Sequence, residues 1–172
     1  MPKSKFIFVL PFVLFMGCLS TQKEVDSEPV ERLKRLDREG SSILKGVKVP
    51  ATSSLYLASG IVAEPKNPEL PEGDRARFGD TYDQSVSALK RIAQYLGEEG
   101  LSLSDVVAMK VYVAPDPLNE NKPDFEGWFK AYGEFFNNAE NPNKVARSTI
   151  GVYQLVDPNK FIEIEVRAVY PN

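Results

Sequence analysis

The sequence predicts an α+β domain in which two helices pack on one face of a single mixed β-sheet. Two observations carry the prediction. From about residue 54 to residue 168 the apolar pattern switches between strand-like and helix-like periods, in the order strand, helix, strand, helix, strand, strand. Each helical stretch has one apolar stripe, and a sheet receiving both stripes on one side buries them together. The chain has 172 residues, 42% of them hydrophobic, enough for one domain of ordinary size.

The elements follow in order. Ser54–Gly60 reads as a strand with Leu55 and Leu57 on one side and Tyr56 on the other. Residues 64–77, rich in proline and charge, form a loop. A helix begins at Thr81, with Tyr82, Val86, Leu89, Ile92, Ala93 and Leu96 on its apolar face. Asp80 or Thr81 can cap its start, and Gly97 or Gly100 can end it. Residues 105–113 are β-rich, and residues 116–123 form a loop. The second helix runs from Asp124 to about Asn137. Its aromatic stripe of Phe125, Trp128, Phe129, Tyr132 and Phe136 reads as core or subunit packing. Residues 137–144 break the helix. Strands over 145–152 and 161–168 then read as the arms of a β-hairpin turning near Asp157-Pro158-Asn159. Large apolar residues fall on both faces over 153–161 and in the strand over 106–113, so the face away from the helices is expected to be buried by another subunit.

The N-terminus reads as an export signal. Lys3 and Lys5 precede an apolar run of 12 residues, Phe6 to Gly17. A membrane-spanning helix needs roughly 20. The run ends at Gly17 and Cys18, the only cysteine in the chain, which resembles a bacterial lipobox although Phe15 and Met16 depart from its usual residues. The expected organisation is a lipoprotein signal peptide over 1–17, a lipid-attached Cys18 with a flexible tether over 18–44, and the folded domain over 45–172. Val30, Leu33 and Leu36 could form a short helical patch, but the polar, mixed-charge composition reads as a tether. The expected location is the bacterial envelope, on the periplasmic side, with the outer membrane favoured because no Asp follows Cys18.

Composition excludes much chemistry. A net charge of −3 leaves no basic surplus for nucleic acid. The chain has no histidine and a single cysteine, which removes Ser-His-Asp and Cys-His nucleophile systems, cysteine metal clusters and an intrachain disulfide. No metal or cofactor is expected. What stands out is Arg147 in one apolar strand and Glu163 in the next. A buried guanidinium and carboxylate are costly unless paired or used. The residues alone leave two readings open: a salt bridge across a subunit boundary, or a grip on a small anion with a water positioned against it. Ser59 and Thr149 could equally be ordinary strand hydroxyls. Glu165, on the same strand face as Glu163, is expected to meet Arg167, Lys110 or solvent.

Several pieces, in order and spacing, then resemble the RidA (YjgF) family of reactive-intermediate deaminases. They are Leu57-Ala58-Ser59-Gly60, the helix with Gln84, Ala88 and Leu89, residues 100–107 (GLSLSDVV), residues 132–136 (YGEFF), Ala146-Arg147-Ser148 and residues 162–165 (IEIE). The resemblance covers about Leu55 to Val169. It implies a chorismate-mutase-like fold and a homotrimer with clefts between subunits. It further implies hydrolysis of 2-imino acids to 2-keto acids and ammonia. Arg147 would hold the substrate carboxylate and Glu163 would position the attacking water. Ser59, Gly60 and Thr149 would lie beside the substrate. The implied partners are a small carboxylate, further copies of the chain, and a membrane through the lipid anchor only. The alternative from the same resemblance is a non-catalytic trimer that binds small carboxylates or another protein. The sequence departs from the family pattern in three places. Residues 46–51 (GVKVPA) replace a Gly-Pro-Tyr motif, Thr149 replaces a cysteine, and Phe129 replaces a frequent asparagine.

Overall fold

The computed structural model describes residues 31–171. The expected signal peptide and Cys18 lie outside them. The elements are β1 (Lys34–Leu36), β2 (Gly46–Lys48), β3 (Leu55–Leu57), α1 (Thr81–Glu98), β4 (Val106–Val113), β5 (Pro115–Asp116), β6 (Lys122–Pro123), α2 (Phe125–Phe135), β7 (Ala146–Gly151) and β8 (Ile162–Val169). A four-stranded mixed sheet has the order β3-β8-β4-β7, with only the β4–β7 pair parallel. Both helices cover one face of this sheet, as the two apolar stripes require. β5 and β6 form a two-residue ladder that closes the loop leading into α2.

The core lies between sheet and helices. Leu89, Ile92 and Leu96 of α1 and Trp128, Tyr132 and Phe136 from the α2 region meet Met109, Val111 and Val113 of β4 and Ile162, Ile164 and Val166 of β8. These residues have lost most of their contact with water, which supplies the main driving force for the fold. The Asp80 carboxylate accepts from the Asp83 N–H and caps α1. Asp124 caps α2 in the same way through the Gly127 N–H.

The α1 stripe differs from the expectation at its start. Thr81, Gln84 and Ser85 are the buried residues there, while Tyr82 and Val86 are only half-buried. Polar side chains enter the core because each finds partners. Gln84 Nε2 donates to the carbonyls of Gly79 and Asn159, and its Oε1 accepts from the Phe161 N–H at 2.8 Å. Thr81 donates through both N–H and hydroxyl to the buried Asp116 carboxylate. Tyr82 instead reaches out to Glu134 at 2.6 Å.

β7 and β8 do not form the expected hairpin. β4 lies between them and pairs with both. Its residues Val106, Val111 and Val113 are wholly buried and need neighbours on each side. The ten-residue connection over 152–161 is long enough to step across the intervening strand. The face away from the helices is also less apolar than expected. Leu55, Leu57 and Ile150 are exposed there, but Lys110, Glu163, Glu165 and Arg167 stand among them. Glu165 accepts from the Tyr112 hydroxyl at 2.9 Å rather than pairing with Arg167 or Lys110.

The tether boundary at residue 44 also needs correction. Residues 31–44 are folded onto the domain, and Lys34–Leu36 is a strand rather than a helical patch. Arg35 explains why. Its Nη1 donates to the carbonyls of Val106 at 2.9 Å and Lys144 at 2.7 Å, and its Nη2 donates to Ser104 at 2.8 Å. These oxygens lie at the entrances to β4 and β7. The Leu44 N–H donates to the Val145 carbonyl, Leu44 is buried, and Lys144 pairs with Asp37. The planar guanidinium satisfies three carbonyls at once, which a polar composition does not advertise. Arg35→Ala is expected to cost about 2–3 kcal/mol in urea unfolding and to speed amide exchange at Leu44. Arg38→Ala, at an exposed position, should cost less than about 0.5 kcal/mol.

Candidate active site

Arg147 lies on β7, an edge strand of the sheet. It is in register with Met109, a core residue, so its side chain points towards the helices. There the α2 stripe receives it. The guanidinium carbon sits 4.1 Å from the Tyr132 ring centre, 5.1 Å from Phe129 and 5.5 Å from Trp128. Cation–π attraction offsets part of the desolvation cost. Burial still pushes the guanidinium below its usual range, and Tyr132 acts in the opposite sense. Nη1 is buried and has no hydrogen-bond partner among the described residues. A cation held by rings with an unused buried donor is chemically unsatisfied.

Thr149 shares this face two residues along the strand. Its Oγ1 accepts from the Trp128 indole N–H at 3.3 Å. The Thr149 hydroxyl donates no hydrogen bond of its own among the described residues. The aromatic stripe, read from sequence as plain packing, therefore also frames the arginine.

Glu163 lies elsewhere. It is in register with Tyr112, on the face away from the helices. The register of Arg147 with Met109 and of Glu163 with Tyr112 sets the two residues two strands and three positions apart. Their Cα atoms are about 14 Å apart and their side chains point to opposite faces of the sheet. They cannot form a salt bridge within one subunit. The Glu163 carboxylate has no hydrogen bond or ion pair among the described residues.

Ser59 and Gly60 accompany Glu163. Leu57 faces Arg167 and Ile61 faces Ile164, so three residues on one side stand opposite two on the other. This bulge at residues 58–60 takes the Ser59 and Gly60 N–H groups out of the ladder, which resumes at Ile61 N–H to the Ile164 carbonyl, 2.9 Å. Gly60 has no side chain to obstruct the carboxylate: a Cβ there would lie 2.6 Å from Glu163 Cδ and 2.8 Å from Cγ. The structure thus groups the expected site residues into two half-sites. One, Arg147 with Thr149, offers cationic and hydroxyl donors. The other, Glu163 beside Gly60 with Ser59 next to it in the bulge, offers a carboxylate and backbone N–H groups outside the ladder. Sequence reasoning missed Trp128 and Tyr132 as partners of Arg147. Their i, i+4 spacing with the aromatic stripe was visible, but not which strand lay beneath it.

A cavity of about 570 Å³ opens under the N-terminal segment, and Arg147 is among the residues that line it. Arg38, Lys45, Lys110, Arg147 and Arg167 line it against a single carboxylate, Glu165. It includes neither Glu163 nor Ser59. Among the described residues, no group of His, Cys, Asp and Glu could hold a metal ion.

The model of the family described as endoribonuclease L-PSP matches residues 48–170. The chain belongs to this family, that of the YjgF/Rid proteins. A RutC-family protein of Pyrococcus horikoshii is 29% identical over 121 residues, covering 70% of this chain and 81% of that protein. Among solved structures, the Rid protein YyfB of Yersinia pestis is similar with a TM-score of 0.59 at 24% identity, over 80% of this chain and 98% of that one. TdcF of E. coli, solved with bound serine, is similar with a TM-score of 0.53 at 25% identity, over 80% of this chain and 94% of that one. The family match begins at Lys48, so β1 and the Arg35 bonds precede it.

The close approach at Gly60 makes a prediction for this Rid chain. In Gly60→Ala the three atoms nearest the new methyl group all belong to the flexible side chain of Glu163. The fold should lose less than about 1 kcal/mol, while a crystal structure of the variant should show the Glu163 carboxylate swung out of its present position.

Proposed function

We propose that this Rid-family chain is an imine deaminase whose active site is completed between subunits of a homotrimer. One subunit would supply Arg147 and Thr149, and the next Ser59, Gly60 and Glu163. The observation that carries the reading is the placement of two unsatisfied, chemically complementary half-sites on opposite faces of one sheet. Neither half alone both grips an anion and orients a water. The structure of TdcF with bound serine supports a small amino-acid-like carboxylate as the ligand class.

The chemistry asks little of the protein. The Arg147 guanidinium takes the carboxylate of a 2-imino acid and fixes its plane. Glu163 accepts a proton from a water as the water oxygen bonds to C2 and the C=N pair moves to nitrogen. The nitrogen takes up a proton, giving a carbinolamine. Glu163 then assists proton transfer as the C–N bond breaks, ammonia leaves and the C2=O bond forms. Orientation and one acid–base group suffice, because an imine is already electrophilic. This suits a chain without histidine.

The test follows loss of freshly generated 2-iminopropanoate. Arg147→Ala and Glu163→Gln should each lower kcat/KM by about 10²-fold or more. Mixing these two variants after reversible dissociation should restore activity to about a quarter of wild type, because random assembly pairs an intact Arg147 with an intact Glu163 at that share of boundaries. No recovery from the mixture would refute the shared site. No acceleration by the wild-type protein, with 2-keto acids still bound in calorimetry, would favour the non-catalytic carboxylate-binding alternative.

We also propose that the protein is exported and lipid-anchored through Cys18. Support comes from Lys3 and Lys5, the short apolar run and the placement of the chain's one cysteine at its end. Labelling of cells with a tagged fatty acid should mark the wild-type protein, and Cys18→Ser should lose both the label and sedimentation with membranes.

A further inference from the structure

Resting on the deaminase reading, we propose that the site selects 2-imino acids with a large apolar or aromatic side chain, seated on a shelf formed by Phe129 and Phe125 beside Arg147. The aromatic stripe of α2 splits in two. Trp128, Tyr132 and Phe136 are buried, whereas Phe129 is 48% and Phe125 38% exposed. These two exposed rings lie against each other, with centres 6.5 Å apart and planes 25° from parallel. Both lie outside the buried core cluster and leave much of their ring surface open to water.

The Phe129 ring centre is 5.1 Å from the Arg147 guanidinium carbon, and Phe125 continues in line with it over β7. Arg147, Thr149 and Gly151 alternate onto the same face of the strand. A Cβ at Gly151 would lie 3.4 Å from Phe125 Cζ, an ordinary van der Waals distance, which places the Phe125 ring over this end of the strand. The result is a polar end at Arg147 and Thr149 and an apolar end at Phe129 and Phe125. A carboxylate bonded to the guanidinium places its own carbon about 4 Å from Cζ. The methyl group of an alanine-derived imine then stops short of most of the shelf. A benzyl or isobutyl group extends onto the Phe129 ring and removes apolar surface from water on both partners.

The experiment uses the full chain in detergent and the product-type ligands 2-oxo-3-phenylpropanoate and 2-oxopropanoate. Calorimetry should find the phenyl ligand bound at least tenfold more tightly, and turnover of the corresponding imines should show a kcat/KM ratio in the same direction. Phe129→Asn should collapse both ratios to within about twofold, whereas Phe129→Leu, which keeps an apolar wall at a half-exposed position, should retain most of each. Equal affinities in the wild type, or a preference untouched by Phe129→Asn, would overturn the shelf while leaving the deaminase reading standing. Failure to bind either ligand or to turn over either imine would overturn both. Loss of the trimer in Phe129→Asn with the ligand ratio intact would assign the exposed rings to subunit packing and overturn the shelf alone.

Discussion

Side-chain alternation across β7, β4 and β8 is the constraint on which the rest of this structure depends. β4 is the shared ruler. Met109 faces the helices, so its neighbour Arg147 must face them too, and Tyr112 faces away, so Glu163 must follow it. No rotamer carries either charged group through the sheet. A slip of one residue in either pairing would send apolar side chains to water and charged ones into the core. The burial that holds Val111, Ile164 and Val166 in place therefore also holds the two half-sites apart. Stability of the subunit and the separation of Arg147 from Glu163 have the same origin.

Much of this was legible in the residues. The helices and long strands were visible because their periodic stripes report burial directly, and the boundaries of α1, β4 and α2 fall within a few residues of those expected. Arg147 and Glu163 stood out because charge in apolar strands is rare. Strand order was not legible. Two consecutive strands with a turn between them suggest a hairpin, and only the burial of β4 on both edges places it between β7 and β8. The folding of residues 31–44 was equally hidden. Arg35 lies in a polar segment, and its bonds reach carbonyls 69 to 109 positions away in sequence. The division of α2 into buried and exposed rings depends on where the edge strand runs, which periodicity does not encode.

The arrangement around Arg147 shows how aromatic rings can hold a buried cation without pairing it to a carboxylate. Three rings lie around the cation, and its Nη1 has no hydrogen-bond partner among the described residues. Rings compete weakly with a carboxylate for N–H donors, so a cation kept this way stays available. Glu165 illustrates the opposite outcome. It sits two residues from Glu163 on the same face, but its carboxylate is already engaged by Tyr112. Availability, rather than charge alone, separates the two glutamates.

The N-terminal segment has a mechanical meaning. The Tyr132 hydroxyl donates to the Ser42 carbonyl, and the same ring is the nearest of the three around Arg147. The segment leading to Ser42 is fastened in turn by Arg35 at the entrances of β4 and β7. A pull on the chain ahead of residue 31 would load the Arg35 bonds first and the β1–β2 pairing with them. Only after these gave way would tension reach Ser42 and loosen the ring against the guanidinium. The Arg35 fastening and the Tyr132 contact with Arg147 are thus arranged in series, and the Arg35 bonds shield the geometry at Arg147 from forces arriving along the chain.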